Sequence, residues 1–188
     1  PTEVCEILLA AGVRLIQYRD KHASSRQLYE AGGRLAEQVR RAGGLFIVND
    51  RADVAQAVGA HGVHVGQDDL PVELARCSLE PGKLVGCSTH DLAQVREVDR
   101  SSADYIAFGP VFPTESKTKP EAVVGLAGLR EARQATRKPL VAIGGITLAM
   151  AREVTEAGAD SVAVIADLLR AADIGARARE FLRVLGGS

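Results

Sequence analysis

The stretch of this chain best suited to chemistry is residues 109–117, which read Gly-Pro-Val-Phe-Pro-Thr-Glu-Ser-Lys. They follow the apolar run 105–108 and combine a glycine and two prolines with the hydroxyls of Thr114 and Ser116 and the ammonium of Lys117. Glycine and proline at this density predict a rigid, turn-rich loop after a strand. Hydroxyl donors beside a cation suit an anionic ligand, so we predict that this segment, the proline loop, binds one.

A second set of polar side chains lies at the end of the first predicted strand, residues 13–18. Alternation along an extended chain places Gln17, Arg19 and Lys21 on the same side. Two cations and an amide that face one way suit a phosphate group, whereas a solvated cluster of charges explains the same residues equally well. The pattern alone leaves both interpretations open.

Aspartates follow the next two predicted strands. Asn49 and Asp50 come after the strand at 45–48, and Asp69 lies just beyond the strand at 62–65. Aspartates at adjacent strand ends, without cysteine or several histidines beside them, are hard oxygen ligands that suit Mg²⁺ held jointly with a substrate phosphate. Aspartate is also a common helix N-cap, and for each residue taken alone that alternative carries equal weight.

The strand predicted at 84–87 is followed by Ser88, which could cap the next helix or donate a hydrogen bond to a phosphate. Two histidines also belong to this half of the chain. His64 alternates into a strand, so we interpret it as a core residue instead of a metal ligand. His90 lies past a strand end, and we interpret it as a cap-region residue.

A second phosphate site is predicted towards the carboxyl end of the chain. Gly144 and Gly145 lie between a strand and a helix, and a pair of glycines lets a phosphate approach the amides at a helix amino terminus. The next strand, predicted at 161–165, ends at Ile165 and Ala166, whose amides lie beside the first set. Barrels most often bind phosphate after their seventh and eighth strands, and these two strands would be the seventh and eighth if one strand lies upstream of residue 1.

Helix and strand patterns alternate along the whole chain and would position these residues. Short apolar runs predict strands at 13–18, 45–48, 62–65, 84–87, 105–108, 140–143 and 161–165, with helical spacing between them. This alternation predicts one α/β domain over residues 1–188, built on a parallel sheet that is either open and doubly wound or closed as a (β/α)8 TIM barrel. Polar residues after six or more strands favour the barrel, whose first strand we expect upstream of residue 1.

Composition limits the classes of partner. The net charge is −1, and charges of both signs are interspersed, which argues against a nucleic-acid partner. No apolar run reaches membrane-spanning length and no secretory signal opens the chain, so we expect no membrane partner and a cytoplasmic location. The three cysteines contain no CxxC pair, and we expect each to be a small buried apolar residue. Whether copies of the chain form a homo-oligomer is left open.

These segments, in this order, resemble motifs of the thiamine-phosphate synthases. Residues 17–21 read Gln-Tyr-Arg-Asp-Lys, similar to the family's Q-[LY]-R-x-K, and Asn49 with Asp50 resembles its N-D pair. Residues 64–69 resemble H-[IV]-G-Q-x-D, the proline loop resembles G-P-[IV]-[FY]-P-T-x-[TS]-K, and residues 143–146 resemble the family's phosphate turn. Several spaced motifs in the right order are far more specific than any single one.

The resemblance implies a (β/α)8 fold and a Mg²⁺-dependent enzyme that joins a pyrimidine diphosphate to a thiazole phosphate by a dissociative substitution, with release of pyrophosphate. By position, it implies that Mg²⁺ is held by Asp50 and Asp69, and that the diphosphate is held by Arg19, Lys21, Ser88 and Lys117, the catalytic residues. It further implies that Gln17 and Asn49 contact the pyrimidine or the adjoining diphosphate. The thiazole side is implied for Thr114 and Ser116, and the thiazole phosphate for Gly145, Ile165 and Ala166.

Three positions depart from the family pattern, and two alternatives remain. Ser116 replaces a threonine and keeps its hydroxyl, Ala166 stands where a serine is usual, and Arg51 stands where a second aspartate or a histidine occurs. One alternative is a relative of the thiazole tautomerases, which carry a histidine directly after the glycine of the proline loop, where this chain has Pro110. The other is a non-catalytic barrel that binds phosphate for regulation.

Overall fold

The computed structural model describes residues 1–114 and 122–186, in which strands and helices alternate. The strands are β1 (Leu15–Tyr18), β2 (Leu45–Asn49), β3 (Gly62–Val65), β4 (Leu84–Thr89), β5 (Tyr105–Phe108), β6 (Leu140–Ile143) and β7 (Ser161–Ala163). The helices are α1 (Thr2–Ala10), α2 (Ser25–Arg41), α3 (Ala52–Ala57), α4 (Val72–Cys77), α5 (Leu92–Arg100), α6 (Gly125–Ala135), α7 (Ala151–Glu156), α8 (Ala166–Leu169) and α9 (Ile174–Leu185). A short 3₁₀ helix, Leu148–Met150, precedes α7.

The seven strands form one parallel sheet in the order in which they occur along the chain. The interior strands are buried on both faces: Phe46, Ile47 and Val48 of β2 are fully buried, and so are all residues of β3. Burial on both faces is typical of parallel sheets whose crossover helices cover them. The predicted α/β class and parallel sheet are therefore confirmed.

Strands β1 and β7 are the two edges of this sheet within the described residues. Leu15, which opens β1, is 53% exposed, and the first and last residues of β7 are also exposed. A closed (β/α)8 barrel has no such edges, because every strand pairs on both sides. The described residues therefore form a seven-stranded, TIM-like arrangement and not the complete barrel that the sequence predicts.

Helix α2 shows how local sequence builds the layer around the sheet. The Ser24 hydroxyl accepts a hydrogen bond from the Gln27 amide, while the Gln27 side chain accepts one from the Ser24 amide, which completes a capping box. Leu28, Leu35 and Val39 recur at helical spacing along α2 and are buried in the core. The amphipathic pattern thus fixes which face of α2 meets the sheet.

Three reciprocal pairs of hydrogen bonds lie at the amino-terminal ends of the strands. In each pair, the residue just before one strand donates its amide to the carbonyl oxygen of a second residue, near the start of the preceding strand. Its side chain then accepts a hydrogen bond from the amide of that second residue. The pairs are His61 with Phe46, Asp104 with Val85, and Asp160 with Leu140. Each closes one βαβ unit on the face opposite the carboxyl ends of the strands.

Four strands differ from their predicted bounds: β1 begins at Leu15 instead of residue 13, β2 extends to Asn49, β4 extends to Thr89, and β7 is shorter. The strand predicted to reach Ile165 ends at Ala163, because its partner β6 ends at Ile143 and the chain turns at Gly144, where φ is 87°. The residues that follow form α8, which the apolar pattern did not indicate. The helix predicted after Gly144 and Gly145 begins with the 3₁₀ turn, a common form at the start of helices.

The cysteines and the apolar helices are two further points of comparison with the sequence. Cys5 and Cys87 are buried as expected, but Cys77 is exposed, which corrects the prediction for that residue. Cys77 ends α4, a short helix that buries only Ala75, so its side chain faces water.

Over residues 1–114 and 122–186, no helix combines the length and apolar character needed to cross a bilayer.

Candidate active site

A cavity of about 140 Å³ lies at the carboxyl ends of β1 to β4. Six of the predicted site residues line it: Arg19, Lys21, Asn49, Asp50, Asp69 and Ser88. They come from four consecutive strand ends, which parallel pairing in register brings to the same edge of the sheet. The predicted cations and carboxylates therefore share one space.

Asp50 and Asp69 lie side by side in this cavity. Burial, then the hydrogen bond with the Asp69 side chain and its negative charge, raise the pKa of Asp50 from 3.8 to about 6, while Lys21 and Arg19 act in the opposite direction. Asp69 Oδ2 also accepts a hydrogen bond from the Gly66 amide at 2.7 Å, which fixes that carboxylate. Two carboxylates within hydrogen-bonding reach of each other favour a shared proton or a bound cation.

The observed helix caps exclude the alternative that Asp50, Asp69 or Ser88 serves as a helix N-cap. The N-cap residues of α3, α4 and α5 are Arg51, Pro71 and Asp91. Neither Asp50 nor Asp69 is therefore a helix cap. Ser88 is not one either, because the Asp91 carboxylate accepts the amide of α5 that a capping side chain would take, at 2.8 Å.

Arg19 and Lys21 extend beyond the end of β1 and are exposed. Among the ion pairs of the described residues, none involves either cation. Both charges lie close enough to Asp50 to lower its pKa. The cavity thus presents two cations beside a carboxylate pair, and neither cation forms an ion pair with another described residue.

The donor set fits Mg²⁺ shared with a phosphorylated substrate. Mg²⁺ is usually held by one or two carboxylates, and water and substrate phosphates supply its remaining ligands. Asp50 and Asp69 provide two carboxylates. Within the described chain, no group of three or more histidine, cysteine, aspartate or glutamate side chains is arranged to hold a metal ion. A metal at this cavity would take its remaining oxygen ligands from water or from a substrate phosphate.

Further residues line the cavity although the sequence patterns did not assign them to it, namely His64, Gly66, Gln67, Asp68 and His90. His64 is only 5% exposed, as its core interpretation predicts, but its Nε2 lies 2.8 Å from Ser88 Oγ. Gln67 Nε2 donates to the Ser88 carbonyl oxygen at 2.7 Å. His64 is the register partner of Asn49 in the pairing of β2 and β3. Alignment of these two predicted strands would therefore have indicated that His64 lies beside the site.

His90 connects the cavity to the proline loop. Its Nδ1 lies 2.5 Å from the Gly109 carbonyl oxygen and donates to it, since a carbonyl can only accept. The His90 amide also donates to Gln94 Oε1 at 2.7 Å, in the first turn of α5. The cap-region interpretation of His90 is therefore incomplete, because its ring also lines the cavity.

The described part of the proline loop, residues 109–114, is docked on Gly144 and Gly145, the glycine turn. The Phe112 amide donates to the Gly144 carbonyl oxygen at 3.1 Å. At Gly145 φ is 66°, and a Cβ atom there would lie 2.4 Å from the Pro113 carbonyl oxygen. Both the backbone conformation and this close approach require glycine. The other predicted residues of the loop, Ser116 and Lys117, lie outside the described residues.

The glycine turn and α8 form a second region, apart from the cavity. Asp167 Oδ2 accepts hydrogen bonds from the Leu148 amide at 3.2 Å and from Arg177 Nη1 at 3.1 Å, which joins α8 to the chain just after the glycine turn. Of the predicted site residues that the structure describes, those that do not line the cavity are Gln17, Thr114, Gly145, Ile165 and Ala166. The last three of these are the predicted phosphate amides, and they belong to the second region.

A larger depression, of about 720 Å³, lies near the amino-terminal ends of β6 and β7. It is lined by Arg133, Gln134, Thr136, Arg137, Pro139 and Asp160. Arg133 is held there by an ion pair with Asp160 at 2.8 Å and by backbone carbonyl oxygens. Its polar groups serve the fold, so the smaller cavity, with its converging carboxylates and cations, is the better candidate active site.

Comparison with known proteins gives a consistent result. The family described as thiamine monophosphate synthase matches residues 1–168. Over 187 residues, the chain is 50% identical to a thiamine-phosphate synthase of Koribacter versatilis, with 98% of this chain and 86% of that protein covered. A thiamine-phosphate synthase of Chloroflexus aurantiacus is 50% identical over 182 residues, which cover 97% of this chain and 83% of that protein.

A solved structure agrees with these sequence matches. The thiamine phosphate pyrophosphorylase from Pyrococcus furiosus aligns with a TM-score of 0.92 and 38% identity, covering 98% of this chain and 89% of that chain. Sequence and fold are thus similar over the same residues.

Proposed function

This chain belongs to the thiamine monophosphate synthase family, and we propose that it joins a pyrimidine diphosphate to a thiazole phosphate. It is an enzyme that catalyses a group transfer with release of pyrophosphate. The proposed substrates are 4-amino-5-hydroxymethyl-2-methylpyrimidine diphosphate and 4-methyl-5-(2-phosphooxyethyl)thiazole, and the product is thiamine phosphate. Small molecules are thus its proposed partners, and the cytoplasm is its proposed location.

The observation that carries this proposal is the carboxylate pair beside two cations in one cavity. Asp50 and Asp69 would hold Mg²⁺, and Arg19 and Lys21 line the same space. A diphosphate suits both groups, because its oxygens are metal ligands and also strong acceptors for cationic donors. When bound, Mg²⁺ would neutralise part of the charge on the departing pyrophosphate.

The proposed reaction is a dissociative substitution at the methylene carbon attached to the pyrimidine ring. The bond from this carbon to the diphosphate oxygen breaks first, and pyrophosphate leaves with the electron pair. The electron-rich aminopyrimidine spreads the resulting positive charge until the thiazole nitrogen donates its lone pair to the carbon. Arg19, Lys21 and Lys117 would stabilise the negative charge as it grows on the leaving group, and Ser88 would donate a hydrogen bond to it.

The thiazole phosphate is proposed to bind in the second region, at the amides of Gly145, Ile165 and Ala166. The remaining assignments are the pyrimidine side for Gln17 and Asn49 and the thiazole side for Thr114 and Ser116. Docking of residues 109–114 on the glycine turn supports this division. It keeps residues 109–114 of the proline loop in contact with the turn assigned to the other substrate.

We also propose that an eighth strand joins β1 to β7 and completes a (β/α)8 barrel as a single domain. The support lies in the two sheet edges, near which Leu15 is 53% exposed and Ile165 is 52% exposed. A parallel strand between these edges would pair their free amides and carbonyls and cover the apolar side chains. Hydrogen exchange tests this: β1 amides should become protected in a longer chain that supplies such a strand, and unchanged exchange would contradict the proposal.

The synthase is favoured over both alternatives. Relatives at 50% identity are thiamine-phosphate synthases, and Pro110 stands where a thiazole tautomerase carries its histidine. A non-catalytic barrel has no need of a carboxylate pair with two cations beside it, because inorganic phosphate can be held by amides alone.

Product formation tests the proposal directly. The protein is incubated with both substrates, with and without Mg²⁺, and thiamine phosphate and pyrophosphate are measured in the same samples. We expect equal amounts of the two products, and only with Mg²⁺. Absence of both products in the presence of Mg²⁺ would exclude the synthase activity, and pyrophosphate without thiamine phosphate would indicate hydrolysis instead of transfer.

A further inference from the structure

Ser88 is the first member of a chain of hydrogen-bonded side chains that leads from the cavity into the sheet. His64 Nε2 lies 2.8 Å from Ser88 Oγ, and His64 Nδ1 lies 3.0 Å from the Tyr105 hydroxyl. The rings of His64 and Tyr105 are also in contact, with centroids 5.4 Å apart. The three side chains come from the adjacent strands β3, β4 and β5. Their arrangement is therefore fixed by the sheet.

Tyr105 is held in place by a glycine of β4. A Cβ atom at Gly86 would lie 2.0 Å from Tyr105 Cζ, so the tyrosine ring lies directly on the backbone there. In the sheet register, Gly86 is the partner of both His64 and Tyr105. Burial raises the pKa of Tyr105 far above its ordinary value, so the phenol stays protonated and can donate.

We propose that Tyr105 and His64 are positioning residues that make Ser88 a hydrogen-bond donor towards the diphosphate. Tyr105 donates its hydroxyl proton to His64 Nδ1, so the imidazole carries its own proton on Nε2 and donates it to Ser88 Oγ. Ser88 Oγ accepts in that direction, and its own proton is left to point into the cavity. The inference rests on the proposed function, since it requires a diphosphate in the cavity.

The opposite polarity of the chain would be unfavourable for an anion. If Nδ1 of His64 carried the proton and donated to Tyr105, Nε2 would have to accept the proton of Ser88. Ser88 would then present only lone pairs to the cavity, and these repel phosphate oxygens. The tautomer of one buried histidine thus determines whether the serine attracts or repels the leaving group.

The first test is the tautomer of His64, read from nitrogen NMR of the protein with Mg²⁺ and pyrophosphate bound. We expect a protonated Nε2 and an unprotonated Nδ1, and Tyr105→Phe should shift the Nδ1 signal because its donor is lost. Detection of a proton on Nδ1 would overturn the proposal.

The second test is a double-mutant cycle on pyrophosphate affinity in the presence of Mg²⁺. Tyr105→Phe keeps the ring over Gly86 and should weaken pyrophosphate binding roughly fivefold, the value of one hydrogen bond. In a Ser88→Ala background the same change should have no further effect, because its target is gone. Tyr29→Phe, at a tyrosine that is 54% exposed on α2, is the matched control and should bind like the wild type.

Failure of the hydrogen-bond chain from Tyr105 through His64 to Ser88, here called the relay, can be distinguished from failure of the proposed function. A wild-type protein that binds no pyrophosphate with Mg²⁺ would refute the diphosphate site, and the relay with it. A wild type that binds pyrophosphate and is weakened by Ser88→Ala, but not by Tyr105→Phe, would overturn the relay alone. An equal loss from Tyr105→Phe in both backgrounds would also overturn it, because the tyrosine would then act independently of Ser88.

Discussion

Replacement of Asp50 by asparagine should separate stability from catalysis in this protein. Asparagine removes one charge of the carboxylate pair and tolerates the left-handed backbone of Asp50, where φ is 64°. Burial and the neighbouring Asp69 raise the pKa of Asp50 from 3.8 to about 6. A rise in pKa from 3.8 to about 6 limits the cost of ionising Asp50 in the folded state to about 3 kcal/mol. Water reaches this half-buried pair, so we expect about 1 kcal/mol.

The sign of the effect follows from the direction of the shift. A raised pKa means that the folded protein binds this proton more tightly than the unfolded chain does. The cost of ionisation is therefore present above about pH 6 and disappears as the pH falls towards 3.8. Without Mg²⁺, Asp50→Asn should gain about 1 kcal/mol in free energy of unfolding at about pH 8, and this gain should vanish at about pH 4.

Turnover by Asp50→Asn should fall, although the stability of the variant without Mg²⁺ should rise. Loss of one of two proposed Mg²⁺ ligands should lower kcat about 100-fold, equal to about 3 kcal/mol. It should also remove the stabilisation of the folded protein by added Mg²⁺. Urea titrations with and without Mg²⁺ at both pH values, together with the product assay, measure these effects. Glu97→Gln, which neutralises an exposed carboxylate on α5, is the matched control and should change neither quantity.

Two outcomes would refute this assignment of Asp50. If Asp50→Asn unfolds more easily than the wild type at about pH 8 and keeps its turnover, the carboxylate supports the fold and not a metal site. If the variant is still stabilised by Mg²⁺ to the same extent as the wild type, Asp50 is not a ligand.

Two further predictions concern the glycine turn and the reciprocal pairs. Gly145→Ala should lower the free energy of unfolding by about 2 kcal/mol or more and raise KM for the thiazole phosphate above all, because the new Cβ meets the Pro113 carbonyl. Gly43→Ala has a similar φ of 68° but an open Cβ position, so urea titration should show a smaller loss there, and equal losses would contradict the role of the contact. His61 Nδ1 accepts the Phe46 amide only when unprotonated, and burial, with Lys83 and Arg40, lowers the pKa of His61 from 6.5. The stability that it contributes, about 1 kcal/mol, should be present above about pH 6.5 and be lost as the pH falls through the lowered pKa. Urea titrations from about pH 8 to pH 5 should show this loss in the wild type but not in His61→Gln, and an identical pH dependence of the two would contradict it.

Much of the sheet was predictable because its strands are short apolar runs bounded by residues that end them. Strands β3, β5 and β6 begin and end where the sequence predicts. Arg19 and Lys21 line one cavity with Asp50, as the pairing of parallel strand ends explains. Strand alternation does not account for this, because both lie beyond the end of β1, and Gln17, which is in β1, does not line the cavity. The roles assigned to these residues remain predictions, because geometry alone does not test them.

Features that depend on contacts between distant segments could not be predicted. The glycine turn was interpreted as open space for a phosphate, but Gly145 also accommodates a carbonyl of the proline loop, which no local pattern shows. The double contact of His64 requires partners on two other strands. The short helix α8 follows β7 because β6 ends at Ile143, so the chain after Ala163 has no strand partner on that side.

The reciprocal pairs at the amino-terminal ends of the strands also have a consequence for how the chain folds. Their members are 15, 19 and 20 residues apart, so each joins segments that meet after a short loop closure. The cost in chain entropy of closing such loops is small compared with that of joining distant segments. Contacts at low sequence separation are typical of fast-folding topologies. The β2–β3, β4–β5 and β6–β7 units can therefore each close locally, and the sheet can grow by the addition of units that are already closed at the amino-terminal ends of their strands.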